Sequence, residues 1–317
     1  MQNLRIDSER LWGEIMETAA IGGTAKGGIC RLTLTDLDRQ VRDWFKARAE
    51  KLSPEQRSEI AKKAAADGAN VTLIAKTDTP HPKLPGTIHT AAAELEEVGG
   101  SVHKYVGDIR NDDQVAEAVA QTAQLFGGID IVVNNASAID ISPTDVLSMK
   151  KYDLMQDINC RGSFLLSKLS IPHLRKSAKA GRNPHILTLS PPLNLNPRWP
   201  GGSLGYTIAK YGMSLTTLGL AEELRRDGIG VNSLWPRTMI ATAAVRNILG
   251  GDVMIKTSRT PAIYADAAYA VLTSPATSTS GNFFIDEEVL AAQGVTDFDQ
   301  YRVVPGSGEL TSDMFLD

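Results

Sequence analysis

Glycine is absent from a long stretch of this chain: none lies between Gly28 and Gly68, although the 317-residue sequence contains 27. Backbone that must approach a phosphate closely relies on glycine, so no phosphate-cradling turn is expected between those positions. Cysteine is scarce. Cys30 and Cys160 are the two present, far apart and without metal-ligand spacing. They form no disulfide framework, and the expected setting is a reducing cytoplasm. No segment approaches the ~18 consecutive apolar residues of a membrane span. No charged-then-apolar targeting segment opens the chain, and none is expected. His81, His89, His103, His173 and His185 are scattered without a paired carboxylate motif, so surface or packing roles are expected and no zinc or iron site. A formal net charge of -4 offers no general attraction to nucleic acid or anionic lipid.

What is present is an alternation of helix and strand. The chain is 42% hydrophobic, enough for a sizeable core in one large domain or two small ones. From residue 53 the pattern is that of a parallel sheet with helices on both faces. Ser53-Pro54-Glu55-Gln56 reads as a helix start, with Ser53 as N-cap, and that helix ends near Asp67-Gly68. Strands are expected at about 70–75, 102–107, 129–134, 184–189, 229–235 and 282–285, with helices at about 88–97, 112–126, 146–174, 205–227 and 262–272. The stretch from Arg237 to about Pro261 is expected to be a lid over the site or, alternatively, an ordinary connection.

Several polar groups fall at the carboxyl ends of apolar runs or on the helices behind them, where open α/β sheets assemble their sites. Tyr206 and Lys210 stand four residues apart, so both occupy one helix face and an ammonium can favour a neighbouring phenolate. Asn134-Asn135-Ala136-Ser137 closes one apolar run and Ser190 another, with Asn159 in a helical stretch between them. Each has an ordinary reading too: Tyr206 as a half-buried aromatic, Lys210 as a solvated charge, Ser190 as a strand end and Asn159 as a helix kink.

Taken together with Lys76-Thr77, His81-Pro82-Lys83-Leu84 and Ser190-Pro191-Pro192-Leu193-Asn194-Leu195-Asn196-Pro197, these residues resemble the short-chain dehydrogenase/reductase family, in its hydroxysteroid dehydrogenase-like type, from about residue 58 onward. The resemblance implies an α/β, Rossmann-like, doubly wound parallel sheet whose first strand and glycine-rich turn are absent or replaced. That strand would have been central, between the strands at 70–75 and 129–134. Tyr206 would exchange a proton with the substrate oxygen, Lys210 would lower the tyrosine pKa and bind the nicotinamide ribose, Ser190 would donate a hydrogen bond to the substrate oxygen, and Asn159 would hold a relay water. Asp108 and Ile109 would contact adenine, Asn135 and Ala136 would underlie the ribose, and Pro236 and Thr238 would hold the nicotinamide amide. Lys76, standing where NAD-preferring members carry an acid, implies NADP, with NAD as the alternative. The implied substrate is a lipophilic alcohol or carbonyl against a rigid wall of Pro191, Pro192, Leu193 and Trp199. A homo-oligomer is implied, formed through the helices at 146–174 and 205–227.

Residues 1–52 form a foreign, mostly helical segment, and 53–317 the dehydrogenase-like domain. Leu4-Arg5-Ile6-Asp7, Gly27-Gly28-Ile29-Cys30-Arg31-Leu32 and Leu34-Thr35-Asp36-Leu37-Asp38-Arg39 resemble the opening of the zinc-dependent N-carbamoyl amino acid amidohydrolases. The metal ligands of that family have no counterparts downstream. Gly22-Gly23-Thr24-Ala25-Lys26-Gly27-Gly28-Ile29 echoes a glycine turn but follows a helix-like run and has Ile29 at the third glycine position. Gly28 to Leu34 is an alternative extended filler for the missing strand. A non-catalytic remnant or binding protein without cofactor binding is the alternative function.

Overall fold

The computed structural model describes residues 59–79, 86–242, 245–306 and 308–317. The expectations for residues 1–52 and for the helix start at Ser53 lie outside that range.

Among the described residues, six parallel strands form two separate sheets. β1 (Asn70–Ala75) pairs with β2 (Ser101–Val106), while β3 (Ile131–Asn134), β4 (His185–Thr188), β5 (Gly230–Trp235) and β6 (Phe283–Ile285) follow one another in a four-stranded sheet. The register is regular, with Asn70 opposite Ser101, Ile131 opposite His185, His185 opposite Gly230, and Ser233 opposite Phe283. Among the described residues nothing pairs with the second edge of β1 or of β3. The parallel order matches the expected one, and the gap falls where the missing strand would lie.

Helices cover both faces, as an all-parallel sheet requires. α1 (Glu59–Ala66) precedes β1; α2 (Ile88–Glu97) and α3 (Asp112–Phe126) follow β1 and β2. Thr87 starts α2 through a reciprocal capping box with Thr90, and Asn111 caps α3 by accepting from the Gln114 amide at 3.1 Å. Between β3 and β4 run α4 (Met149–Met155), a π turn (Gln156–Arg161) and α5 (Gly162–Lys179), where one continuous helix was expected. α6 (Arg198–Gly202) and α7 (Leu204–Glu223) lie between β4 and β5.

The strand period of two divides the core. Ile186 and Val231 face α5 and α7, where Leu174, Leu220 and Leu224 complete one layer. Leu187 and Leu234 face the opposite side and pack on α9 (Pro261–Thr273) and α10 (Asp286–Ala292) through Ile263, Val271 and Leu290. The helices of the first layer also approach each other closely: a Cβ on Gly212 of α7 would stand 2.5 Å from the Cys160 sulfur.

The stretch 237–261 is partly helical, with a π turn (Val245–Leu249) and α8 (Gly251–Lys256). Met239, Val245 and Ile255 form a small apolar cluster there, against Val303 and Met314. Apolar side chains spread irregularly over two short turns left no sustained period for sequence reading to detect.

Candidate active site

The first turns of α7 carry Tyr206 and Lys210, 5% and 4% exposed. Lys210 Nζ donates to the Leu189 carbonyl at 2.9 Å, just beyond β4, and lies 5.2 Å from the centre of the Trp235 ring. The Tyr206 hydroxyl has no hydrogen-bond partner among the described residues, and Tyr206 borders a large cavity. Burial pulls the Lys210 ammonium down to about 8, with the Asp313 carboxylate opposing. Burial also holds the Tyr206 phenol well above its usual range, and Asp313 pushes in the same direction. The lowering expected from Lys210 does not offset these effects.

Ser190 is placed differently from the expectation. Its hydroxyl is fully buried and hydrogen-bonded to Ser233 Oγ at 2.9 Å, and Ser233 Oγ donates in turn to Thr217 Oγ1 at 2.9 Å. The carbonyl of Leu189 meets Lys210, whereas the next side chain turns away toward β5 and α7, as strand alternation dictates. Ser190 therefore joins β4, β5 and α7 and does not line the cavity beside Tyr206. Asn159 lies in the π turn, completely buried, with Oδ1 accepting from the Ala138 amide at 2.7 Å and Nδ2 donating to the Ala138 carbonyl at 2.9 Å. Both ends of that amide are thus engaged in tying the chain after β3 to the helix, the arrangement of a π turn at a functional site.

The nucleotide-side residues converge. Lys76, Asp108, Ile109, Asn135, Ala136 and Pro236 all border the same cavity as Tyr206 and Lys210. Lys76 is exposed at the carboxyl end of β1. Asp108 is gripped by the Arg110 guanidinium, Nε at 2.9 Å and Nη2 at 2.6 Å. That contact holds the Asp108 carboxyl at about 2, with Lys76 contributing attraction from farther away. Thr238 is buried outside the lining, and its Oγ1 has no hydrogen-bond partner. Ile139, Leu189, Trp235, Met239 and Met314 give the Tyr206 end an apolar wall.

The cavity encloses about 1940 Å³ and continues between β1 and β3. Ligand sites commonly occupy roughly 300–1,000 Å³, so the excess corresponds to the gap in the sheet. No group of three His, Cys, Asp or Glu side chains is arranged to hold a metal among the described residues.

Sequence reading missed the C-terminal contribution to the site. Asp313 and Met314 border the cavity, and the Phe315 ring packs among Trp199, Tyr206, Tyr211 and Trp235 with centroids 5.4–6.2 Å away. These residues lie more than a hundred positions from Tyr206, beyond the reach of any local pattern. The remaining signal was the apolar and acidic run Asp313-Met314-Phe315-Leu316-Asp317 near the end of the chain.

A family profile described as enoyl-(acyl carrier protein) reductase matches residues 58–270. Hydroxysteroid dehydrogenase-like protein 2 of Danio rerio is 56% identical over 258 residues, which are 81% of this chain and 60% of the relative. The chain thus spans well under two thirds of the length of the curated relatives it matches. The crystal structure of a short chain dehydrogenase of Mycobacterium thermoresistibile superimposes with a TM-score of 0.76 at 55% identity, over 82% of this chain and 90% of the other. A metagenomic short-chain oxidoreductase in complex with NADP shares the fold, with a TM-score of 0.57 at 22% identity over 72% of this chain and 90% of the other.

Proposed function

Because the chain belongs to the short-chain dehydrogenase/reductase family, we propose that it is an NAD(P)-dependent oxidoreductase acting on a lipophilic alcohol or carbonyl compound. The observation that carries this reading is the buried Tyr206–Lys210 pair, on one wall of a cavity shared with Lys76, Asp108, Asn135, Ala136 and Pro236.

The residues fit the two ends of a nicotinamide dinucleotide. At one end, Lys76 is an exposed cation at the tip of β1, which favours the additional phosphate of NADP over NAD. At the other, Pro236 borders the cavity and opens the segment that the resemblance assigns to the carboxamide, with the unpartnered Thr238 Oγ1 buried behind it. When bound, the dinucleotide supplies or accepts the hydride. Tyr206 delivers a proton from its hydroxyl to the substrate oxygen during reduction, and its raised affinity for that proton keeps it in the acid form at neutral pH. Lys210, fixed by the Leu189 carbonyl, carries a positive charge on the same helix face and would donate to the ribose hydroxyls. Ser190 Oγ is held by Ser233 in this arrangement, and Asn159 holds Ala138 in place. The apolar wall of Ile139, Leu189, Trp235 and Met239 selects a lipophilic substrate and excludes water.

We further propose a homo-oligomer formed through α5 and α7. Leu204, Ile208, Leu215 and Leu218 are exposed along one stripe of α7, and Phe164 is exposed on α5. A cytoplasmic site of action and a 53–317 dehydrogenase-like domain complete the reading.

Calorimetric titration of the folded protein with NADPH and NADH tests it, followed by carbonyl-dependent NADPH oxidation over a varied panel. Micromolar NADPH binding with turnover is expected. A second reading, a binding protein without catalysis, is favoured by one observation: the sequence has no glycine between Gly28 and Gly68, and so no glycine-rich turn just ahead of α1 to receive a pyrophosphate. Absence of binding to either nucleotide would select it.

A further inference from the structure

The last segment of the chain is fastened across the catalytic end of the sheet almost residue by residue. Thr311 donates to the Thr257 carbonyl at 3.0 Å and accepts from the Met239 amide at 2.9 Å, and Ser312 bridges Thr238. The Asp313 amide donates to the Arg237 carbonyl at 3.1 Å. Trp235 Nε1 donates to the Met314 carbonyl at 2.9 Å, Asn194 Nδ2 to the Phe315 carbonyl at 3.1 Å, and Arg198 Nη2 to the Leu316 carbonyl at 3.0 Å. Phe315 adopts a left-handed backbone conformation, with φ of 72°, and its side chain is 1% exposed among four aromatic rings. A bulky residue in that conformation persists only where its surroundings determine it. Asp313 is thus held on both sides, and its side chain borders the cavity with Tyr206 and Lys210.

Lys210 needs a counter-charge. Its fixed contacts are a neutral carbonyl and the face of an indole, and a buried ammonium so placed is strongly disfavoured without an acid nearby. Asp313 borders the same cavity and precedes Met314, whose carbonyl accepts from the Trp235 indole that Lys210 overlies, and among the described residues its carboxylate attracts the ammonium. Asp286, on α10, acts instead on Asp313 and Tyr264, and Tyr264, on α9, donates its hydroxyl proton to the Leu234 carbonyl at 2.5 Å. Asp313 Oδ1 accepts from the Met314 amide at 2.7 Å.

We propose that Asp313 is a positioning residue of the catalytic site: carried on the C-terminal strap, its carboxylate holds Lys210 in the charged form beside Tyr206. The inference rests on the oxidoreductase reading for its purpose, but its physical content is independent of turnover. Burial pushes the Asp313 carboxyl up to about 7, Asp286 adds to that rise and Lys210 opposes it. As pH falls through that value the carboxylate is neutralised and Lys210 loses its counter-charge.

The test follows the 13Cε resonance of Lys210 against pH in the full chain, labelled at lysine and assigned by its loss in Lys210→Met. In folded Asp313→Asn the Lys210 midpoint is expected to fall by about one unit or more, a tenfold change in proton affinity, and Asp313→Glu is expected to restore at least half of the shift. An unchanged midpoint in Asp313→Asn overturns the proposal. Should that variant fail to fold, the 13Cγ resonance of Asp313 in Lys210→Met serves instead: loss of the ammonium raises the Asp313 midpoint, and a midpoint that stays or falls overturns the proposal. Where turnover is measurable, Asp313→Asn lowers kcat about tenfold with KM within twofold, and the pH profile moves with the Lys210 midpoint. A shifted midpoint in a protein that reduces no carbonyl would reject the oxidoreductase reading and leave this assignment standing.

Discussion

β1 and β5 are both six-residue parallel strands, yet they differ in burial although each carries one amide and one hydroxyl. In Asn70-Val71-Thr72-Leu73-Ile74-Ala75 every residue is only partly buried. In Gly230-Val231-Asn232-Ser233-Leu234-Trp235 every residue is buried. The cause is position in the sheet. β5 has β4 on one edge and β6 on the other with helices on both faces, and its polar groups are satisfied by Thr279, Asn282, Ser190 and Thr217. Among the described residues β1 has one partner, and its second edge borders the cavity. The four-stranded half is a finished core beneath α7 with Tyr206 and Lys210, whereas the two-stranded half, with Lys76 and Asp108 at its carboxyl ends, has a flank that no described residue pairs with.

The sharpest way to probe the finished half is Tyr206→Phe. Removing the proton donor is expected to lower carbonyl reduction by about 10²–10⁴-fold, while calorimetric affinity for NADPH stays within about threefold. Loss of affinity to the same extent would assign Tyr206 to binding and collapse the distinction between the halves. Next in size is a pair of truncations read by urea unfolding. Leu187→Ala, in the fully buried β4, is expected to cost about 2–5 kcal/mol. Ile131→Ala, at the open edge and 41% exposed, is expected to cost about 1 kcal/mol or less. Equal costs would mean that the flank is closed in solution.

Asp286 offers a pH-dependent contrast within the finished half. Burial pushes its carboxyl up to about 6, against the Arg237 and Glu287 amides and Arg259, which lower it. The folded chain therefore holds this proton more tightly than the unfolded chain, whose value is about 3.9. The resulting stability is fully present below about pH 4 and is lost as pH rises through about 6. Asp286→Asn is expected to remove about 2 kcal/mol of that slope, measured as the difference between wild-type and variant unfolding at pH 4 and pH 7. The smallest effect belongs to the open half: Lys76→Glu is expected to move the NADPH/NADH affinity ratio about tenfold toward NADH, measured by calorimetry. An unchanged ratio would identify Lys76 as a solvated charge.

Strand and helix order was legible in the sequence because each element carries its own period and punctuation. The strand expected at 229–235 and the one observed at Gly230–Trp235 differ by one residue, and the gap beside β3 could be read from the missing glycine turn. The pairing of Tyr206 with Lys210 was equally legible, since four residues of helix bring two side chains together whatever surrounds them. The direction of the Ser190 hydroxyl was not legible, because a strand end places its side chain on one face or the other according to neighbours on β5 and α7. Asn159 marked the break in its helix, but only the fold committed its amide to Ala138.

By itself, then, the sequence determined what short-range geometry can determine: the alternation of elements, the Tyr206–Lys210 face, and the cation at the tip of β1. Tertiary structure alone decided which charges meet. Asp313 lies 103 residues beyond Lys210, and it reaches the site because hydrogen bonds from Trp235, Asn194 and Arg198 and a cage of aromatic rings around Phe315 hold the strap down. Electrostatics in a buried site depends on distance through space and on exclusion of water, and neither is written in the spacing of residues along the chain.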